Sequence, residues 1–317
     1  MLFRSKELAK RFYSDMYKIR RFEQEVFEFY KTGQMAGLAH LYIGEEAVAA
    51  GACAAIEARD YIASTHRGHG HLVARGADMG RMMAEILGKE TGYSKGKGGS
   101  MHIMAMDLGI LGANGIVGGG IPMATGAGYS SKYRGTDQVT LCFFGDGAAN
   151  EGTFHESINM AAAWDLPVVY VIENNLYGIT VDSRRVTKEH DLAKRAIGYG
   201  IPGYTIDGND VETVYKTMQK AVKHAREGKG PSIVECKTYR HHGHNGSDPG
   251  TYRPPEEVEA WKARDPLILF RDKGYLTEKE RKEIEDKVEQ EVQAACKFAA
   301  ESPYPEASEL MDDIFCD

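Results

Sequence analysis

The sequence predicts an α/β protein whose sheet is mostly parallel and flanked by helices. Three observations carry this. The apolar run 139–144, a helix-compatible stretch 150–163 and a second apolar run 168–172 form one strand–helix–strand unit. A helical pattern over 211–227 followed by an apolar run at 232–238 repeats the alternation. At 317 residues the chain can bury a substantial core, which fits one α/β domain with appended helices at both ends.

Each element has its own local signal. Within an N-terminal helical arm of about residues 1–35, Leu8, Phe12, Met16, Ile19, Phe22, Val26 and Tyr30 recur at helical spacing over residues 5–31, so this helix must pack on something. The Ala-rich stretch 44–58 and residues 79–87 read as further helices. From 88 to 120 glycines are too dense for long regular elements, which predicts ordered loops near a ligand. Residues 122–133 form a small-residue helix in which Ala124, Gly126, Ala127 and Gly128 permit close helix approach. In a C-terminal helical extension of about 255–317, the charged helix 278–300 carries Ile284, Val288, Val292 and Ala295 on a face expected to meet a partner surface, and the tail after Ser302 is irregular.

Composition narrows the function classes. A net charge of −7 and a pI near 5.9 give no electrostatic case for nucleic acid or an anionic membrane. No run of about 18 apolar residues is present, and the N-terminus is a charged amphipathic segment rather than a signal peptide. The expected location is the cytoplasm, or an organelle matrix if a transit peptide has been removed. Cys53, Cys142, Cys236, Cys296 and Cys316 have neither metal-ligand spacing nor the pattern of a disulfide framework, and read as reduced core thiols.

The site signal lies at the ends of the two central strands. Asp146 sits between Gly145 and Gly147 after the first apolar run, and Asn174 and Asn175 follow the second. Parallel strands of a strand–helix–strand unit end on one edge of the sheet, so Asp146 and Asn175 converge there. A carboxylate and an amide oxygen are what octahedral magnesium accepts, the remaining positions going to phosphate, a backbone carbonyl or water. The glycines allow a tight turn and close approach of an anion, and the following helix points its positive end at the phosphate. A capping Asp with two turn asparagines is the bland alternative. Two histidine clusters, His66, His69 and His71, and His241, His242 and His244, invite a zinc reading, but neither shows a clear acidic or cysteine co-ligand and their glycines suit loops.

In Gly145-Asp146-Gly147 closing on Asn174-Asn175, the chain resembles the thiamine-diphosphate enzymes. The wording HLYIGEEAVAAG, STHRGHGH, KGKGGSMH, GANGIVGGG, ENNLYG and YRHHGHNGSDPGTYR, from about His40 to Arg253, resembles the alpha subunit of the decarboxylating component of 2-oxo-acid and acetoin dehydrogenase complexes. The resemblance implies the thiamine-diphosphate-binding fold and an oxidoreductase. It implies that Asp146, Asn175 and the carbonyl of Tyr177 ligate Mg2+, and that Gly147, Ala148, Arg67 and His66 meet the diphosphate of thiamine diphosphate. By the same match Gly115 and Val117 contact the aminopyrimidine ring, and His69 and His244 are catalytic, His244 also touching the cofactor. Ser100 and His102 are near-site candidates, whereas Lys95 and Lys97 read as surface charges.

The resemblance also implies partners. The glutamate that activates the cofactor comes from a second, pyrimidine-binding domain, so the chain is expected to work with a beta subunit in an α2β2 heterotetramer. A small-molecule carbonyl substrate and a lipoyl-bearing acyltransferase component complete the set. STHRGHGH, LGANGIVGGG and FFGDGAANEGTFHES look closest to acetoin dehydrogenase; HGHNGSDPGTYR looks more like the pyruvate enzyme, with Asn245 where the animal enzyme has a regulatory serine. Acetoin is the favoured substrate, pyruvate the alternative, and branched-chain 2-oxo acids are also possible. A noncatalytic binding or regulatory paralogue is the reading from another class, as is a magnesium-dependent nucleotide binder, but no phosphate-loop Gly-Lys-Ser/Thr follows a strand.

Overall fold

The computed structural model describes residues 6–312 and 314. In chain order it runs α1 (Lys6–Lys31), α2 (Glu46–Ala54), β1 (Tyr61–Ala63), α3 (His69–Ala74), α4 (Met79–Ile86), β2 (Ile110–Gly112) and α5 (Gly120–Tyr133). Then come β3 (Thr140–Gly145), α6 (Gly152–Ala163), β4 (Val168–Asn174), β5 (Tyr177–Gly178), β6 (Val181–Asp182) and α7 (Ser183–Val186). The chain continues through β7 (Gly203–Asp207), α8 (Val211–Arg226), β8 (Ser232–Lys237), α9 (Pro255–Lys262), α10 (Pro266–Asp272) and α11 (Glu278–Glu301). Six strands form one sheet in the order β2-β1-β3-β4-β8-β7, and every neighbouring pair is parallel. β5 and β6 make a small antiparallel ribbon beside it. The fold is the α/β architecture expected from the sequence.

The central strands explain why the sheet stands where it does. All seven residues of β4 are buried, and β3 pairs with it from Thr140 opposite Val168 to Gly145 opposite Glu173. Alternate side chains feed two different cores. Val169 and Val171 join Phe22, Val48, Val214 and Met218 on one face, while Val168, Tyr170 and Ile172 join Ile121, Phe154 and Ile158 on the other. Each large apolar side chain so buried contributes about 1.5–3 kcal/mol, and strands covered on both faces read as continuous apolar runs.

The structure adds elements that the sequence did not announce. β1 and β2 are three residues each, and β7, an edge strand, carries mostly half-exposed residues from a glycine start, so none has a usable period. Residues 69–74, expected as loop, form α3. Its Gly70 is required there, because a Cβ would lie 2.2 Å from Cδ1 of Tyr42. The N-terminal helix buries Phe12, Met16, Ile19, Phe22 and Val26. The stripe on α11 is met from within the chain: Val288, Val292, Cys296 and Ala299 join the core that holds residues of α1 and α4. Cys53, Cys142, Cys236 and Cys296 are free and buried, and Cys316 lies outside the described residues. No helix among the described residues is long and apolar enough to cross a membrane.

The glycine-rich stretch after α4 is ordered by one carboxylate. Glu85, fully buried, accepts the backbone N–H groups of Ser94 (2.7 Å), Gly96 (2.9 Å), Gly98 (2.7 Å) and Gly99 (3.1 Å). Four charge-assisted bonds satisfy donors that no regular element serves. Glu85→Ala is therefore expected to cost about 3 kcal/mol or more, read as a lowered urea midpoint, since buried donors are orphaned. An unchanged midpoint would show that the loop does not depend on this hub.

Candidate active site

The carboxyl ends of β1, β3, β4 and β8 open into a cavity of about 310 Å³. Residues 64–67 follow β1, 143–148 end β3, Asn175 and 177–179 follow β4, and Arg240 and His244 follow β8. Glu45, just before α2, and residues 116–118 close it from the sides. Clefts at the strand ends of open parallel sheets are where such folds bind ligands.

Asp146 and Asn175 meet there as expected. Asp146 is 2 % exposed, and its Oδ2 is buried without a partner. Burial pushes its carboxyl up to about 6, because an uncompensated charge is costly away from water. Asn175 donates from Nδ2 to Oε1 of Glu45 at 3.1 Å, and its Oδ1 receives the N–H of Tyr177 over a long 3.4 Å. Burial and the neighbouring Glu173 carboxylate push Glu45 upward, and its Oε2 is also unpartnered. Gly147 faces Gly178, to whose Cα a Cβ on Gly147 would make an ordinary contact of 3.6 Å. The loop between β4 and β6 is strained, with Leu176 at φ 72° and the β-branched Ile179 at φ 54°. Arg240 holds it by donating to the Ile179 carbonyl. One expectation changes in detail: a 3-10 turn over Ala148–Asn150 separates Gly147 from α6, which starts at Gly152, so the turn rather than the α-helix faces the cavity.

Opposite this acidic end lie two guanidiniums and three imidazoles. Arg67, 5 % exposed, donates to the carbonyls of Leu41 (2.7 Å) and His244 (3.0 Å). Arg240 donates to Tyr252 Oη at 2.9 Å and reaches His244 Nδ1 at 3.2 Å. The rings of His40, His66 and His244 cluster, with centroids 4.8 Å apart for His40 and His66 and 4.9 Å for His40 and His244. Burial, reinforced by Arg67, lowers them to about 3, about 2 and about 4 respectively, so all three are neutral at pH 7. Their ring nitrogens lie within 4.8 Å of one another, close enough for a shared ion. The adjacent Arg67 and Arg240 guanidiniums disfavour a cation there, and among the described residues no carboxylate or thiolate joins the trio.

The dehydrogenase E1 component family matches residues 14–308. The chain belongs to that family. It is 48 % identical over 316 residues to the alpha subunit of an acetoin:2,6-dichlorophenolindophenol oxidoreductase from Bacillus subtilis, covering 98 % of this chain and 94 % of that protein. It is 43 % identical over 315 residues to the pyruvate dehydrogenase E1 component subunit alpha of Rhizobium meliloti, covering 98 % and 90 %. The corresponding protein of Rickettsia felis is 42 % identical over 316 residues, covering 98 % and 97 %. This E1 component is thus an oxidoreductase of the dehydrogenase type, and the family implies thiamine diphosphate as cofactor.

The residues of the site fit such a group. An orphaned buried carboxylate oxygen beside an amide oxygen suits a hard cation, and Arg67 with the Gly147–Ala148 turn suits the phosphate it would carry. Asp146, Gly147, Ala148, Asn175, Tyr177, Arg67, His66, Val117 and His244 all line the cavity. His69 and Gly115 do not. His69 lies on α3, 1 % exposed, bonded to Glu23 through Nδ1 (3.1 Å) and to Ser100 through Nε2 (3.2 Å to the carbonyl, 3.0 Å to Oγ). His71 is paired with Glu173 at 2.9 Å. Both histidines therefore have carboxylate partners, brought from distant positions that the sequence did not connect. Gly115 adjoins His102, to whose Nε2 a Cβ would come within 3.2 Å, and Ile116 and Val117 face the cavity instead. Lys95 and Lys97 are exposed. Glu45, His40 and Arg240 were not singled out by the sequence; their signals were a Gly-Glu-Glu and two tracts, HLY and YRHH, with no diagnostic spacing.

Proposed function

We propose that the chain is the alpha subunit of a thiamine-diphosphate-dependent acetoin dehydrogenase component. In this reading it works in an α2β2 heterotetramer and passes the acyl unit to a lipoyl-bearing acyltransferase. The observation that carries the cofactor assignment is the buried, unpartnered Oδ2 of Asp146 beside Asn175 at the end of the central strands. Asp146, Asn175 and the Tyr177 backbone would hold Mg2+, while Arg67, His66 and the Gly147–Ala148 turn would bind the diphosphate and Val117 would wall the aminopyrimidine ring. Bound there, thiamine diphosphate supplies a carbon nucleophile that attacks a carbonyl and accepts the electron pair of a breaking carbon–carbon bond. His69 acts from behind: its bonds to Glu23 and to Ser100 brace the segment that carries Arg67 and His66.

Acetoin is the substrate we favour. Cleaving acetoin releases acetaldehyde, which requires the hydroxyl proton to leave as the C–C bond breaks and the new C=O forms; loss of CO2 from a 2-oxo acid needs no such base. His66 and His244 line the cavity, but burial and Arg67 disfavour their protonated forms, so neither ring is assigned that proton. The similarity to the Bacillus subtilis acetoin enzyme supports the same choice. Arg240 in the same cavity favours a carboxylate substrate, which keeps pyruvate as the second reading. Exposed apolar side chains near the cavity mouth, Ile116, Val117 and Ile179, support a partner subunit there.

The test is an assay of the assembly reconstituted with a beta subunit, using a dye as electron acceptor. Acetoin is expected to give the highest kcat/KM among acetoin, pyruvate and branched-chain 2-oxo acids. A higher value with pyruvate would transfer the assignment to the pyruvate enzyme.

A further inference from the structure

Glu45 has no role in the reading above, yet it is held in place as firmly as the residues that do. It is fully buried, and its backbone is pinned on both sides. Its N–H donates to the Tyr42 carbonyl at 3.1 Å, and its own carbonyl accepts from Val48 at 3.0 Å. Gly44 before it adopts φ +105°, where a Cβ would fall 2.2 Å from the Tyr239 carbonyl oxygen, so no other residue type brings the chain through this point. The outcome is a carboxylate aimed into the cavity with Oε1 on the Asn175 amide and Oε2 on no protein atom.

An asparagine side chain offers nitrogen and oxygen in nearly equivalent shapes, and only its partners decide which way it faces. The Glu45 oxygen that faces Asn175 accepts, and so takes the –NH2 end. The other end of Asn175 is left turned to the cavity, engaged by the Tyr177 N–H at a distance of 3.4 Å that leaves a lone pair available. Asp146, with its own unpartnered Oδ2, lines the same space.

We propose that Glu45 is a positioning residue that accepts the Asn175 amide nitrogen and so fixes Asn175 with its oxygen toward the cation seat. The inference rests on the assignment of Asp146 and Asn175 as magnesium ligands. Groups that orient ligands in this way typically carry a 10–100-fold effect on metal affinity. Glu45 acts only through Asn175, so its effect must disappear when the amide is gone.

The experiment is a double-mutant cycle on the chain assembled with its beta subunit. Magnesium affinity is measured by calorimetric titration at saturating thiamine diphosphate, and each variant is checked by thermal melting. Glu45→Ala is expected to weaken magnesium binding about 10–100-fold. Glu45→Gln, which keeps an acceptor oxygen, should stay within about threefold of the unsubstituted protein. Asn175→Ala should weaken binding at least as much as Glu45→Ala, and the double variant no more than Asn175→Ala alone. Additive losses in the double variant, or unchanged affinity in Glu45→Ala, would overturn the inference. If Glu45→Ala fails to fold, Glu45→Leu, closer in volume to glutamate but without an acceptor, takes its place in the same cycle. Absence of magnesium binding in the unsubstituted assembly would overturn the ligand assignment and the inference with it, whereas normal binding there with additive variants overturns the inference alone.

Discussion

Replacing Asp146 with alanine is expected to weaken magnesium-dependent binding of thiamine diphosphate by about 100-fold or more. The side chain is buried to 2 % exposure and one of its oxygens has no protein partner, so it contributes little to holding the apo fold together. An isolated buried carboxylate is a cost, which a divalent cation turns into a gain. The substitution should therefore separate two properties that usually fall together. The melting temperature of the apo protein stays the same or rises, while the rise in melting temperature on adding cofactor and magnesium is lost. A variant that melts lower yet still binds the cofactor would make Asp146 a structural residue and remove the anchor from the site.

The second large effect concerns assembly. The purified chain alone is expected to turn over acetoin at least about 10²–10⁴-fold more slowly than the chain with its beta subunit, the usual worth of a positioned proton-transfer group. Of the carboxylates that line the cavity, Asp146 and Glu173 lie at strand ends, Glu45 before α2 and Glu151 before α6. Ile116 and Val117, over the opening, are 71 % and 51 % exposed, as befits a surface that a second subunit covers. Stopped-time assays with and without the beta subunit, at saturating thiamine diphosphate and magnesium, measure the ratio. Full turnover by the single chain would mean that the activating group lies within it.

Much of this was legible in the sequence because the central elements are locally consistent. β3, α6 and β4 each have the composition their position demands, and the glycines around Asp146 mark the turn that ends β3. The resemblance in the loops supplied Arg67, His66 and His244, which the structure gathers around one cavity. What the sequence could not show was of two kinds. Short edge elements such as β1, β2 and β7 carry too few residues for a period to emerge. Long-range polar pairs leave no local trace at all: Glu23 reaches His69 across 46 positions, Glu173 reaches His71 across 102, and Asn175 reaches Glu45 across 130. The histidines looked like candidates for zinc because their partners were invisible. Once folded, His71 and His69 are satisfied by carboxylates, and His40, His66 and His244 are held neutral beside two guanidiniums.

The central claim is that the cavity at the ends of β1, β3 and β4 is a magnesium–thiamine diphosphate seat. It is tested most directly by calorimetric titration of thiamine diphosphate, and separately of ATP, into the chain assembled with its beta subunit, each with and without magnesium. Magnesium-dependent, saturable binding of thiamine diphosphate with no heat from ATP is the predicted result. Binding of ATP without binding of thiamine diphosphate would contradict the account.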